Sequence, residues 1–268
     1  MITSGEINKI AAKLKLQDKQ IEKDYVIGWI LKGISENEFL KEKLIFKGGT
    51  AIRKIYIKDY RLSEDLDFSY SDNILNISEI DNNYDSVCSW VKDISRIDLK
   101  QADKKENSSG NYSFYLEYTG PLGGSKNSVK VDISCDEKIC DIPDLMEAIN
   151  EYSDLSENYF MKTYSINEIL SEKMRALMQR TAPRDLYDLW YFFEIENKDI
   201  VDFIPSFKVK TEYKNLKPED FVNVINKKME IFKRAWKNQL ENQINDLPDF
   251  IEVWRKFNKH LRKFEKNI

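Results

Sequence analysis

An α+β fold is what this 268-residue sequence predicts: a mixed sheet with flanking helices over residues 1–160, then helices alone over 161–268. Three observations carry that expectation. Polar and apolar residues alternate at 66–70, 112–118 and 129–133, which is strand periodicity. The apolar run Leu44-Ile45-Phe46 stops at Gly48-Gly49, a strand running into a sharp turn. From about residue 160 the apolar spacing becomes helical and stays so.

Taken in order, residues 6–34 predict two helices, with Asp18 as N-cap of the second and Ile21, Tyr25 and Trp29 at helical spacing. Thr50 is placed to cap a short helix through Ile57. Residues 77–94 carry the stripe Ile77, Ile80, Tyr84, Val87, Trp90, Val91 and Ile94. A hairpin follows, its turn at Pro121 to Ser125 supplied by Gly123-Gly124. Ser165 with Glu168 predicts a capping box opening a helix to about Thr181. Pro183 suits the first turn of the next helix, Pro218 opens another long one, and 249–267 is the last.

Composition narrows the chemistry. Hydrophobic residues make up 41% and charged residues 33%, which describes a globular chain. No apolar stretch approaches the roughly 20 residues that span a bilayer, and the amphipathic start lacks a leader core, so no membrane association is expected. Three cysteines predict no disulfide scaffold and a reducing compartment, the cytoplasm. His260 is the one histidine, which excludes H-E-x-x-H zinc sites and argues against a Ser-His-Asp triad. Carboxylates, lysines and a bound metal must then carry any catalysis. Residues 207–268 hold fifteen Lys/Arg against nine Asp/Glu, although the whole chain is at −4. Aromatics interleave with that charge at Phe232, Trp236, Trp254, Phe257 and Phe264. Such a segment suits a phosphate backbone, or is a solvated helical face whose aromatics lie in the core.

Asp65 and Asp67 stand two apart on a predicted strand, so both point to one face. Adjacent carboxylates repel unless a cation relieves them, and a hard cation with oxygen ligands, Mg2+ or Mn2+, does so. Asp132 lies on the polar face of a later strand; if that strand pairs beside 63–71, three carboxylates converge as metal ligands. Asp132 is then the general base or a bridging ligand. At Gly48-Gly49 the backbone can approach phosphate closely, the helix starting near Thr50 adds amide donors, and Lys47 adds charge.

Farther along, Ile166, Ile169, Leu170, Met174 and Leu177 form an apolar stripe with Lys173 inside it. A lysine there must snorkel, pair or serve an anionic ligand. Its expected role is contact with nucleotide phosphates, offsetting charge as the leaving group departs. Arg180 points the same way, and Asp185 and Asp188 share one edge of the next helix.

Four stretches together resemble the nucleotidyltransferase-fold toxins of the AbiEii/AbiGii family: Glu22-Lys23-Asp24-Tyr25, Phe46-Lys47-Gly48-Gly49-Thr50-Ala51, Arg61 through Phe68, and Glu172-Lys173 followed by Arg180 and Arg184-Asp185-Leu186-Tyr187-Asp188-Leu189. The resemblance implies a polymerase-beta-like nucleotidyltransferase core followed by a helical C-terminal domain. It implies the toxin of a bacterial toxin–antitoxin or abortive-infection system, transferring a nucleotide from an NTP to RNA, most simply the tRNA 3′ end. The family's metal pair falls on Asp65 and Asp67, its essential lysine on Lys173 and its late aspartate on Asp188. Nucleotide contacts fall on Lys47, Gly48, Gly49, Thr50, Ser63, Lys173 and Asp185. A neighbouring antitoxin, of winged-helix type, is implied as partner. The Gly49–Asp65 spacer is longer than in many nucleotidyltransferases but suits this family, and Asp132 is matched only by strand context. A protein or small-molecule acceptor, and a non-enzymatic NTP-binding role, are the competing readings.

Overall fold

The computed structural model describes residues 1–107, 110–124 and 127–268. They form two units: Met1–Glu137 with Pro143–Tyr164, and Lys138–Ile142 with Ser165–Ile268. The fold is α+β.

The first unit opens with helices α1 (Ser4–Leu14), α2 (Asp18–Glu36) and a short α3 (Glu38–Lys43) that the apolar spacing does not announce. Gln17, not Asp18, occupies the cap position of α2; Asp18 lies inside the first turn and accepts from the Lys19 amide at 2.7 Å. Strand β1 (Leu44–Lys47) runs into α4 (Gly48–Ala51), which continues as a π-helical turn, Ile52–Tyr56. The helix therefore begins two residues before Thr50. That hydroxyl caps nothing and instead donates to the Asp65 carbonyl. Then come β2 (Asp65–Tyr70), α5 (Ile77–Ser95), β3 (Asp98–Glu106), β4 (Tyr112–Thr119), β5 (Asn127–Ser134), β6 (Asp144–Glu147) and β7 (Phe160–Thr163). Within α5 the stripe is buried at Ile80, Tyr84, Val87 and Val91, but Ile94 is exposed. The β4–β5 hairpin forms as expected; Ser125 of its predicted turn lies outside the described residues.

Among the described residues all seven strands make one mixed sheet, ordered β3-β4-β5-β2-β1-β7-β6. β2 pairs in parallel with β5, β1 in parallel with β7, and the other neighbours are antiparallel. Leu66, Phe68, Val129, Val131, Ile133, Phe114 and Leu116 project from one face and are buried, with α2 and α5 packed on the same unit's core. The alternate residues project from the other face, which is polar. Edge strand β3 carries exposed lysines and a register shift between Ala102 and Lys105, both features that discourage further pairing.

The second unit is helical. It contains α6 (Ile166–Gln179), α7 (Pro183–Glu194), a 3-10 turn Ile200–Phe203, α8 (Ile204–Tyr213), α9 (Phe221–Lys227), α10 (Met229–Leu240) and α11 (Phe250–Glu265). Ser165 caps α6 by accepting from the Glu168 amide at 3.0 Å. The reciprocal half of the box is missing, because the Glu168 carboxylate accepts from the Cys140 and Asp141 amides and pairs with Lys210. The long helix expected from Pro218 is broken: a 3-10 turn precedes α9, and Lys228 separates α9 from α10. The Lys228 ammonium donates to the carbonyls of Leu177, Met178 and Arg180 at 2.7, 3.0 and 3.1 Å and closes the end of α6. Phe232, Trp236, Trp254, Phe257 and Phe264 are all buried, so the aromatics of this basic segment are core residues. All three cysteines are free thiols, and among the described residues no helix is long and apolar enough to cross a membrane.

Candidate active site

Strand pairing builds the acidic site of the first unit. Antiparallel register sets Lys47 opposite Asp67, and parallel register sets Asp132 opposite the same residue. Opposed residues share a face. Lys47, Asp67 and Asp132 therefore form one row across three adjacent strands, with Asp65 and Lys130 as the next row. The three aspartates are half-buried. Lys130 lies two residues from Asp132 on its own strand, and its ammonium reaches Oδ2 of Asp132 at 2.7 Å. That same-face cation was legible as a two-residue spacing and belongs to the site.

The glycine turn closes against this row. Gly48 has φ +81°, and a Cβ there would overlap the Asp67 carboxylate. Only glycine meets both demands. At Gly49 a Cβ would stand 2.8 Å from Arg61 Nη2 and 3.1 Å from Ser63 Oγ. The turn is thus packed under the segment leading into β2, and Arg61, a buried guanidinium, joins the residues around it. Because α4 is one turn long, its helix dipole is small, and the turn is largely buried: Gly48 is half-buried while Gly49, Thr50 and Ala51 are buried. Lys47 is buried with its ammonium 5.6 Å from the Tyr164 ring centroid, and the Tyr164 hydroxyl bonds Ser69 Oγ at 2.6 Å.

Four consecutive residues of α2 brace this arrangement. Glu22 accepts from the Leu122 amide at 2.7 Å, where Gly120 leaves room for its carboxylate. Lys23 pairs with Glu64, beside Asp65, at 3.1 Å. Asp24 is buried and binds Arg53 Nε at 2.8 Å and Lys54 Nζ at 2.6 Å, both in the π-helical turn that follows the glycines. Tyr152 donates to Asp24 at 2.7 Å, and Arg53 reaches Glu151 at 2.8 Å. Burial pushes the Asp24 carboxyl up, but the Lys54 and Arg53 charges outweigh it and hold it well below the usual carboxylate range. Tyr25 donates to Asp154 at 2.7 Å.

The second unit holds the other predicted residues. Lys173, buried inside the α6 stripe, is not an unpaired cation: its ammonium binds Asp185 Oδ1 at 2.9 Å and Asp188 Oδ2 at 2.7 Å. Arg180, exposed at the end of α6, adds Nε and Nη2 contacts to Asp185 Oδ2 at 2.9 and 2.8 Å. Both aspartates are fully buried. Burial raises the Asp185 carboxyl, and Lys173 with Arg180 more than reverses that, leaving it well below its ordinary value. So Lys173, Asp185 and Asp188 meet in one buried network of the helical unit. Asp65, Asp67, Asp132, Lys47, Gly48, Gly49, Thr50 and Ser63 belong to the sheet unit.

The acidic row fits a hard divalent ion in chemistry: its donors are carboxylate oxygens, with neither histidine nor cysteine in the row. Among the described residues no three acidic, histidine or cysteine side chains are gathered closely enough to hold a metal as they stand. The Lys130–Asp132 pair is the visible reason that Asp132 is engaged elsewhere.

A family profile described as "Nucleotidyl transferase AbiEii toxin, Type IV TA system" matches residues 29–263. The chain belongs to the AbiEii family. Family membership makes this AbiEii chain a nucleotidyltransferase toxin of the type IV toxin–antitoxin class, and implies an NTP substrate and an antitoxin partner. Solved structures agree on the fold. JHP933 from Helicobacter pylori superposes with a TM-score of 0.60 at 19% identity, covering 94% of each chain. The nucleotidyltransferase toxin MenT4 from Mycobacterium tuberculosis gives 0.60 at 16% identity, covering 100% of this AbiEii chain and 98% of its own. No curated protein matches.

Proposed function

We propose that this toxin transfers a nucleoside monophosphate from an NTP to an RNA 3′ end, with tRNA as acceptor, and so blocks translation. One observation carries the chemistry: Asp67 and Asp132 stand opposite each other on adjacent strands, Asp65 lies one row away, and Gly48 is packed against Asp67. Asp65, Asp67 and Asp132 would hold Mg2+ or Mn2+. A bound divalent ion supplies charge neutralisation for the triphosphate and lowers the pKa of the attacking hydroxyl.

The chain's own residues do the rest. Gly48 and Gly49 let the backbone approach the phosphates, with Lys47, Thr50 and Ser63 around the turn. Asp132 takes the proton of the acceptor's 3′ hydroxyl, whose oxygen bonds to the α-phosphorus as pyrophosphate leaves. Lys173 serves the nucleotide phosphates, and Asp185 and Asp188 hold its ammonium at a defined place. An anionic partner for Lys173 must compete with two buried carboxylates, which makes those aspartates part of its function. The antitoxin is a winged-helix protein encoded nearby, and the toxin works in the cytoplasm. The basic character of residues 207–268 favours RNA as acceptor.

Labelled NTPs, a divalent ion and total tRNA test the reading. Wild type labels tRNA at its 3′ end, while Asp65→Ala and Lys173→Ala do not. Equal labelling by Asp65→Ala defeats the proposal. Label in protein bands or a small molecule, never in RNA, transfers the case to a different acceptor. Toxicity that survives both substitutions means a non-enzymatic role.

A further inference from the structure

Resting on the RNA acceptor just proposed, we infer that the outer face of α11 is the surface that binds the acceptor's phosphodiester backbone. Arg255, Lys259, Arg262 and Lys266 are exposed and follow one another at intervals of four, three and four residues. At 3.6 residues per turn these positions fall within about 60° of one another around the helix. At about 1.5 Å per residue they make a basic line about 16 Å long, extending one residue past the end of α11.

Their partners distinguish these four residues from an ordinary solvated face. Flanking Lys256 pairs with Glu252 at 3.4 Å, Lys263 with Asp199 at 2.5 Å, and His260 with Glu194 at 2.8 Å. Among the described residues none of the four has an acidic side chain within ion-pair distance. Lys256 and Lys263 are neutralised by their carboxylates and the line itself is not. It stands on a protein of net charge −4, so the positive field is local.

The opposite side of α11 is spent on the core, with Val253, Trp254, Phe257, Leu261 and Phe264 buried. That excludes two other uses. No apolar face remains to enter a lipid surface. No aromatic or large apolar side chain stands inside the line to anchor a protein partner; the large apolar residue exposed on α11, Ile251, lies at its end. The same burial denies bases a stacking platform. Contact is therefore with phosphates, positioning the RNA without reading its sequence. α11 packs directly on α7, the helix carrying Asp185 and Asp188, with Phe193 and Phe257 stacked 6.4 Å apart.

The test uses full-length protein and fluorescein-labelled bacterial tRNA, without NTP or divalent ion. Affinity is measured by anisotropy from 50 to 300 mM salt for wild type and for R255A/K259A/R262A/K266A. Four phosphate contacts contribute a slope of roughly 3 in log K against log salt. The variant is expected to bind at least tenfold more weakly at 100 mM salt, with a slope flattened by about that amount. Circular dichroism and an unchanged thermal midpoint establish that it is folded. Unchanged affinity and slope overturn the inference. Retained tRNA binding with lost antitoxin binding also overturns it, assigning α11 to the protein partner. Because binding is read without catalysis, failure of NMP transfer in wild type would sink the function proposed above while leaving this measurement to stand or fall alone.

Discussion

Removing the Asp24 carboxylate is expected to destabilise the sheet unit severely. In Asp24→Ala, Lys54 stays 2% exposed and loses the carboxylate 2.6 Å from its ammonium. Arg53 keeps Glu151 and the Tyr60 carbonyl, so its loss is partial. Breaking a buried pair by removing one partner costs about 3–5 kcal/mol, because the remaining charge is buried uncompensated. Against a total stability of roughly 5–15 kcal/mol that is a large fraction. With a urea slope of about 2 kcal/mol/M the unfolding midpoint should fall by about 1.5–2.5 M. Hydrogen–deuterium exchange during the urea series assigns the loss to a unit: amides of α2 and of Ile52–Tyr56 should lose protection first, with those of α6 and α7 affected less. A second variant isolates the cause. Asp24→Leu combined with Lys54→Met removes the stranded ammonium and should be more stable than Asp24→Leu alone. A loss below about 1 kcal/mol for Asp24→Ala, the range of exposed ion pairs, would refute the reasoning. So would simple additivity in the double variant.

Further outcomes follow from other contacts. Lys130→Ala frees Asp132 from a pair about a third exposed, worth roughly 0.2–1 kcal/mol, so the divalent-ion concentration giving half-maximal transfer should fall by up to about fivefold; a rise in a metal titration contradicts this. Gly48→Ala forces a methyl toward the Asp67 carboxylate at a positive φ, and should lower NMP transfer at least tenfold while far-ultraviolet circular dichroism is retained. Lys228→Met leaves the last carbonyls of α6 without their cation and should cost about 1–2 kcal/mol in urea unfolding. Asp24 and Asp185 both have carboxyls held below their ordinary range when folded. The unfolded chain therefore binds more protons than the folded one in that window. Their contribution should be complete above about pH 5 and disappear as pH falls through 4 and below, seen as a declining urea midpoint.

The sheet and its acidic face were legible because strand alternation writes burial directly into sequence. Asp65 and Asp67 alternate with Leu66 and Phe68, and one pairing with β5 then aligns Asp67 with Asp132. Helix ends were less legible. Asp18 and Thr50 are good capping residues, yet Gln17 and Lys47 hold those positions, since tertiary packing fixes where each helix starts. β3 escaped notice because its inward positions are Leu99 and the polar Gln101, so the alternation of burial leaves no run of alternating apolar residues. Lys173 was singled out correctly as a cation in an apolar stripe, but sequence spacing within one helix cannot show that Asp185 and Asp188 of the next helix close around it. Likewise Glu168 reads as a capping residue, and only folding reveals that it faces residues 138–142 and Lys210.

That last contact sets an order of events during synthesis. Lys138–Ile142 are flanked on both sides by residues of the sheet unit, yet their amide and carbonyl partners, Glu168 and Lys210, are encoded later. A ribosome adding about 5–20 residues per second needs roughly 2–9 s to pass from Tyr164 to Lys210. For that interval the nascent sheet can assemble while its five-residue excursion hangs undocked. The excursion therefore cannot complete its docking on the helical unit until Lys210 has been added, more than three-quarters of the way through the 268-residue chain.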